Sequence, residues 1–460
     1  MRADIAFDKS TIHFIFTPDE GDKLNVGNGI SMTERRCFVT LPFSCICVES
    51  IHNDLLALSA VLMVYPFSND LTMPFGVSAQ FSDTLKNAFN KDIGPVDPNL
   101  SPRVSTNESV PGLAFSGGVD SGAALALMPL STKAFFLNRC VPQTFSGNTL
   151  YSSEAARYAC EQIEAMGYYS KIVDSDLEYL RSPVGFPVDW SAAVPAVLSA
   201  DIENLDSIAF GTILESAYGI GRGRYLELRE KGIYRAWAKL FGAVGLPFNL
   251  VTAGVSEVGT SIIVEKSGFT QFTQSCIRGS IGNPCMNCWK CFRKNLCDRA
   301  VKKQSFNKKE LDSLFKIRGA RTSLNQIPIK HENVLTYATA SYRGNHPKML
   351  ALQKRVRGTE KSTQWMERWY PDSLEFVFQK YQDEFRLRIA QYLDEMTPED
   401  MFEFKNWDIH EVIHTESYRN ACDMLTETLQ HESLIERVLS FGVRKIRSAL
   451  LRVKSQMFEP

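Results

Sequence analysis

Residues 111–128 read Pro-Gly-Leu-Ala-Phe-Ser-Gly-Gly-Val-Asp-Ser-Gly-Ala-Ala-Leu-Ala-Leu-Met. The apolar run Leu113, Ala114, Phe115 predicts a buried strand, and the Ala/Leu-rich stretch beyond Asp120 predicts a helix that Pro129 ends. Between them lies Ser116-Gly117-Gly118-Val119-Asp120-Ser121. Gly117 and Gly118 admit backbone angles closed to other residues and leave no side chain between main chain and ligand, so amide N–H groups can converge on phosphate oxygens. The first N–H groups of the helix and its positive dipole end add to that cradle. Ser116 and Ser121 supply hydroxyls, and Asp120 is suited to hold a Mg2+ ion that bridges phosphates. The chain has no G-x-x-x-x-G-K-[ST], so a Walker lysine is not part of this design.

Outward from this stretch, the chain has room for two or three domains in 460 residues. A net charge of −1 argues against a general nucleic-acid coat. The N-terminus lacks an apolar signal core, and the longest apolar run, Leu55–Phe67, is too short to span a bilayer. These features predict a cytoplasmic protein whose eleven cysteines are metal ligands or buried thiols rather than disulfides.

Residues 1–105 predict a small α+β domain, with strands over Thr11–Phe16 and Cys37–Leu41 and an apolar-faced helix over Asn53–Val64 capped by Asn53 or Asp54. Cys37, Cys45 and Cys47 lack metal spacing and read as buried structural thiols. Asp92–Pro111 reads as a linker. Residues 106–300 alternate strand and helix, with strands expected over Lys133–Asn138, Tyr169–Val173 and Ser207–Gly211 and helices over Ser153–Met166 and Pro195–Glu203. That alternation predicts a parallel sheet covered on both faces. Ligands of such sheets bind beyond the carboxyl ends of the strands, which gathers Ser116–Ser121, Asn138-Arg139 and Gly211–Glu215 around one crevice. The glycines of Gly219–Arg224 do not follow a strand as a dinucleotide fingerprint requires; Arg222 and Arg224 there suit either an anion-binding loop or a solvated one.

Cys276, Cys285, Cys288 and Cys291 stand at C-x8-C-x2-C-x2-C spacing, with Gly279, Gly282, Asn283 and Pro284 to fold the long loop back. Four thiolates so placed suit a tetrahedral, structural Zn2+. The shorter core followed by Cys297 leaves an iron–sulfur cluster as the alternative.

Ser116–Ser121, SGGVDS, resembles the signature of the PP-loop ATP pyrophosphatase family. The resemblance implies a HUP-like (adenine nucleotide alpha hydrolase-like) parallel-sheet domain that cleaves ATP between its α and β phosphates, adenylates a substrate oxygen and holds pyrophosphate on the glycine loop. With the cysteine knuckle, residues 110–296 are similar to 7-cyano-7-deazaguanine synthase, which converts a carboxylate with ammonia into an amide and then a nitrile. Val255–Ser275 looks like that family's helix before the knuckle, but Gly259-Thr260 stands where the family has Lys-Thr; Lys266 or Arg278 is the candidate substitute.

From residue 301 to 460 a helical domain is expected. Leu374, Phe378, Tyr381, Phe385, Ile389 and Tyr392 form a helical stripe in Ser373–Met396 that reads as core or partner surface. His346, His410, His414 and His431 read as packing or surface residues; His410 and His414 lie one helical turn apart. Leu434–Pro460 reads as a basic amphipathic helix with a solvated face. The expectation is an enzyme that binds ATP and Mg2+ over Ser116, Gly117, Gly118, Val119, Asp120 and Ser121, with Asp120 and Ser121 in catalysis. It would adenylate a carboxylate or carbonyl oxygen of a small-molecule acceptor and transfer nitrogen from ammonia or an amine. The alternatives are a sulfur transferase acting on tRNA or a small molecule, which needs a persulfide cysteine or an iron–sulfur cluster, and a catalytically reduced nucleotide-sensing module. Homo-oligomerisation stays open.

Overall fold

The strand that leads into Ser116 lies inside a sheet far wider than its own alternating segment. The computed structural model describes residues 1–43, 50–147 and 151–430. Cys45, Cys47, His431 and the basic stretch Leu434–Pro460 therefore lie outside the described residues. The first strands are β1 (Arg2–Asp8), β2 (Thr11–Thr17), β3 (Asn25–Gly27), β4 (Ile30–Met32), β5 (Arg36–Thr40), β6 (Leu71–Val77) and β7 (Ile93–Val96). They are followed by β8 (Val110–Phe115), β9 (Lys133–Arg139), β10 (Tyr169–Ser175), β11 (Arg181–Ser182), β12 (Leu205–Phe210) and β13 (Phe248–Asn249). Ten of them form one sheet in the order β13-β12-β8-β9-β10-β5-β2-β1-β6-β7, and β11-β4-β3 form a small second sheet.

Most of the large sheet is parallel. β8 pairs in parallel with β9 on one side and β12 on the other, and β10 and β13 continue the parallel run. Strand order therefore reverses at β8, and the crevice at such a switch point is where doubly wound sheets bind ligands. The helix Val119–Leu127 follows β8 through the glycine turn, buries nearly every residue and ends at Met128, before Pro129. The helix Glu154–Ala165 likewise lies within a residue of the sequence reading. Val194–Leu198 is shorter than expected because the chain turns before β12.

The expected boundary near residue 105 is not a break in the fold. β10 pairs antiparallel with β5, Asp174 opposite Thr40 and Ser175 opposite Val39, so the N-terminal strands extend the sheet of the glycine loop. Asp92–Pro111 is only partly a connection: Ile93–Val96 is the edge strand β7, and Arg103 is 8% exposed. Its guanidinium donates to Asp201 (2.6 Å) and to the carbonyls of Ala200, Leu205, Val244 and Gly245. The helix Asn53–Val64 is buried on every side from Asp54 onward, not on one face. Its cap is His52, whose Nδ1 accepts from Asp54 N at 3.1 Å, while the buried Asp54 carboxylate accepts from Ser78 N and Oγ at 2.8 and 2.6 Å. The apolar run Leu55–Phe67 is thus core, and no described helix is long and apolar enough to cross a membrane.

The chain forms two compact units rather than three consecutive parts. The first comprises 1–219, 225–285 and 364–405, the second 220–224, 286–363 and 406 onward. Ser373–Met396 belongs to the first and is not one helix: 3-10 turns at Pro371–Phe376 and Gln379–Tyr381 precede a helix at Gln382–Ile389. Side chains take over helix bonds there, since Asn249 Oδ1 accepts from Phe378 N (3.1 Å) and Gln382 Nε2 donates to the Leu374 and Val377 carbonyls. All six stripe residues still pack on the core cluster that contains the helix Val119–Leu127.

The second unit is helical, with Trp289–Val301, Lys308–Phe315, Glu332–Ala340, Pro347–Arg355 and 416–430 around Phe292, Leu296, Phe315, Leu335 and Leu352. Arg355 and Glu332, each 1% exposed, pair at 3.2 Å inside it. His410 and His414 lie in turns rather than on a helix, and His410 Nε2 sits 3.2 Å from the Arg222 carbonyl of the glycine-rich loop.

Candidate functional site

The site is built from the loop after β8. Gly117 has φ +70°, which glycine adopts without penalty, and a Cβ there would lie 2.8 Å from Ala156 Cα. Gly118 takes the N-cap position with extended angles, so the helix opens at Val119, Asp120 and Ser121, whose N–H groups have no acceptor within the helix. Ser121 is 3% exposed and braces the loop: its Oγ accepts from Ser116 N (3.2 Å) and lies 3.0 Å from Ser116 Oγ and 3.1 Å from Gly118 O. Ser116 is exposed, and Gly118 and Asp120 are half-buried.

The loop after β12 closes the other wall of the crevice. A Cβ on Gly211 would lie 2.8 Å from Ser121 N and 2.9 Å from Asp120 C, so the two loops touch backbone to backbone. A third wall is the helix Glu257–Lys266, whose Thr260 Oγ1 is 3.0 Å from Asp120 Oδ1. Glu215, beyond β12, receives Glu257 N on both carboxylate oxygens, at 3.1 and 3.0 Å. Thr260 stood in the sequence only as part of a departure from a motif. Its bond to Asp120 crosses 140 positions and leaves no local signal.

Gly259 has no room for a larger side chain, since its Cβ would meet Val255 Cγ1 at 2.7 Å and Leu393 Cδ1 at 3.2 Å. Lys266 is held at the far end of its helix by the Tyr392 carbonyl, 2.7 Å away, and Arg278 is exposed. Arg139, at the end of β9, is taken up by a two-pronged pair with Glu178 and lies 4.5 Å from the centre of the Tyr151 ring. Beside it, Asn138 Nδ2 donates to Asp174 Oδ1 at 2.7 Å. Burial, followed by the Asp174 charge, pushes the nearby Cys140 thiol up to about 11.

Hydrogen bonds tie the glycine loop to the segment that leads into the cysteines. Gln274 N donates to Gly117 O (2.9 Å), Gln274 Nε2 to Cys276 O (3.1 Å), and Ser152 N to Ile277 O (2.9 Å). The sulfur atoms of Cys276, Cys285, Cys288 and Cys291 all lie within 4.8 Å of one another, and Cys288 and Cys291 are 3.5 Å apart. A tetrahedron of ~2.3 Å Zn–S bonds separates its sulfurs by about 3.8 Å, so small adjustments of these thiols form it. Gly282, at φ +66°, and Met286, at φ +45°, make the tight turns the knuckle needs. Cys288 is the N-cap of the helix Trp289–Val301 and Cys291 lies in its first turn. The four cysteines can hold a metal such as zinc. Cys297, the alternative fourth ligand, lies deeper in that helix, fully buried and outside the cluster.

Residues 236–408, which include the helix of Thr260 and all four cysteines, are similar to a family of unknown function (DUF6395). No curated protein matches the chain.

Proposed function

We propose that the chain is an ATP-dependent, AMP- and pyrophosphate-forming ligase that adenylates a carboxylate or carbonyl oxygen of a small molecule and transfers nitrogen to it. One observation carries this reading: a strand, a glycine turn with Gly117 at φ +70° and an open helix start stand at the point where strand order reverses, backed directly by the Gly211 backbone. Mg-ATP would lie over Ser116–Ser121, phosphates against the amides of Gly117, Gly118 and the helix start, with Asp120 as the carboxylate for Mg2+. The acceptor oxygen attacks the α phosphorus, the bond to the β-phosphate bridging oxygen breaks, and pyrophosphate leaves. The amine or ammonia nitrogen then adds to the activated carbon, and AMP departs with the former acceptor oxygen. The chain contributes positioning and dipoles, and the buried Ser121 supports the loop rather than reacting.

Cys276, Cys285, Cys288 and Cys291 would hold Zn2+. Four thiolates close its coordination, so the metal supplies structure, not Lewis acidity. Sulfur transfer is less well supported, because Cys140 stays protonated at neutral pH and the clustered thiols suit a closed site. A nucleotide-sensing role is the second reading. It is favoured by the packing that excludes a lysine at Gly259 and by the hold of Tyr392 on Lys266.

The test is pyrophosphate release from ATP across a panel of small carboxylates with ammonium. The wild type should release pyrophosphate and AMP together, and Asp120→Ala should lower the rate at least ~100-fold with an unchanged melting curve. Equal turnover by the variant refutes the assignment; ATP binding without AMP in any mixture moves the sensing role to first place.

A further inference from the structure

The two acidic residues Glu215 and Asp120 are linked through the start of one helix. Ser256 caps the helix Glu257–Lys266, accepting from Gly259 N at 3.0 Å and donating to Met366 O at 2.6 Å. Glu215, 1% exposed, places both oxygens on Glu257 N. A buried carboxylate is costly unless positive groups meet it, and here the amide end of a ten-residue helix does so. The same contact fixes that helix against the short helix Leu214–Ala217 beyond β12. One turn on, Thr260 Oγ1 reaches Asp120 Oδ1 at 3.0 Å. It also lies 3.1 Å from Glu257 O, and since a hydroxyl has one proton, the charged acceptor takes the stronger bond.

We infer that Glu215 and Thr260 are positioning residues that fix the Asp120 carboxylate for the divalent cation accompanying the nucleotide phosphates. The inference rests on the nucleotide reading above. Asp120 is half-buried on the first turn of its helix, and an aspartate side chain has more than one staggered rotamer to choose from. A hydrogen bond to one carboxylate oxygen selects among them before the cation arrives, which removes an ordering cost from binding. Thr260 supplies that bond from a helix whose own position Glu215 determines. In this reading neither residue touches the phosphates.

The experiment is calorimetric titration of the full chain with ATP, once with Mg2+ and once with EDTA. Thr260→Val keeps the side-chain shape and removes the hydroxyl. It should weaken Mg-ATP binding about tenfold while leaving ATP in EDTA unchanged, and Thr260→Ser should restore the wild-type value. Glu215→Gln should weaken the Mg2+-dependent binding in the same direction, and serves as the independent variant should Thr260→Val not fold. Wild-type Mg2+ dependence in both variants overturns the inference but spares the nucleotide reading. So does an equal loss with and without Mg2+, which marks a merely structural role. A wild-type chain that binds ATP under neither condition overturns both.

Discussion

A methyl group at Gly211 would sit 2.8 Å from Ser121 N, with Asp120 C at 2.9 Å, and both atoms are backbone. Such contacts relax only if the start of the helix Val119–Leu127 moves. Gly211→Ala should therefore cost about 1–3 kcal/mol and weaken the proposed Mg-ATP binding, because the atoms that yield are those of the proposed cradle. Gly242 is the control: it lies in the helix Gly232–Ala243 with nothing within 4 Å of a Cβ, so Gly242→Ala should stabilise by roughly 0.5–1 kcal/mol. Urea midpoints of the two variants check both signs, and a Gly211→Ala midpoint equal to wild type would show that the loops do not touch. At this scale the sequence was informative where a residue serves its own neighbourhood. Gly117 and Gly118 announce their turn because backbone angles are local. Thr260 and Glu215 do not announce theirs, since each acts on a partner that only the folded chain brings near.

Among elements, the strands were the most legible, because β8, β9, β10 and β12 are short segments bounded by turns and lie where the pattern put them. The segment between Asp92 and Pro111 was not, since Pro, Asn and Ser mark irregular backbone but carry no sign of what it packs against. Arg103 shows the difference. Its five donated bonds pin this segment to the turns at Ala200–Leu205 and Val244-Gly245, so an irregular stretch is held as firmly as a strand. Arg103→Met should destabilise the chain by about 3 kcal/mol, as expected when one partner of a buried charged network is lost. Arg103→Lys should recover only part of it, because an ammonium cannot fork among carbonyls on both sides. Urea denaturation of both variants distinguishes a fixed segment from a loose linker, which would tolerate either change. Ser373–Met396 went astray for a related reason: its stripe has helical spacing, yet Asn249 and Gln382 supply side-chain bonds that let turns present the same residues to the core.

For the molecule as a whole, chain order and unit boundaries part company. The first unit is interrupted after Cys285 and resumes at Gln364, a division that composition does not mark. The cysteine knuckle was legible all the same, because its ligands fall within one short run of sequence. Its chemistry separates the proposed ligase from the sulfur-transfer alternative. The sulfurs of Cys276, Cys285, Cys288 and Cys291 share one cluster and Cys297 is outside it, so the purified chain should carry one zinc and no visible chromophore. Structural zinc in small protein sites binds with apparent free energies of about 10–16 kcal/mol, so it should survive dialysis and leave only with a strong chelator. Cys288→Ser should lose the metal, while Cys297→Ser should keep it. Anaerobic purification with elemental analysis and an absorption spectrum measures all of this without knowledge of the acceptor. Iron with sulfide and a brown colour would reverse the zinc assignment and bring sulfur transfer forward. Zinc lost equally from the Cys288 and Cys297 variants would mean that the ligand set differs from the four clustered cysteines.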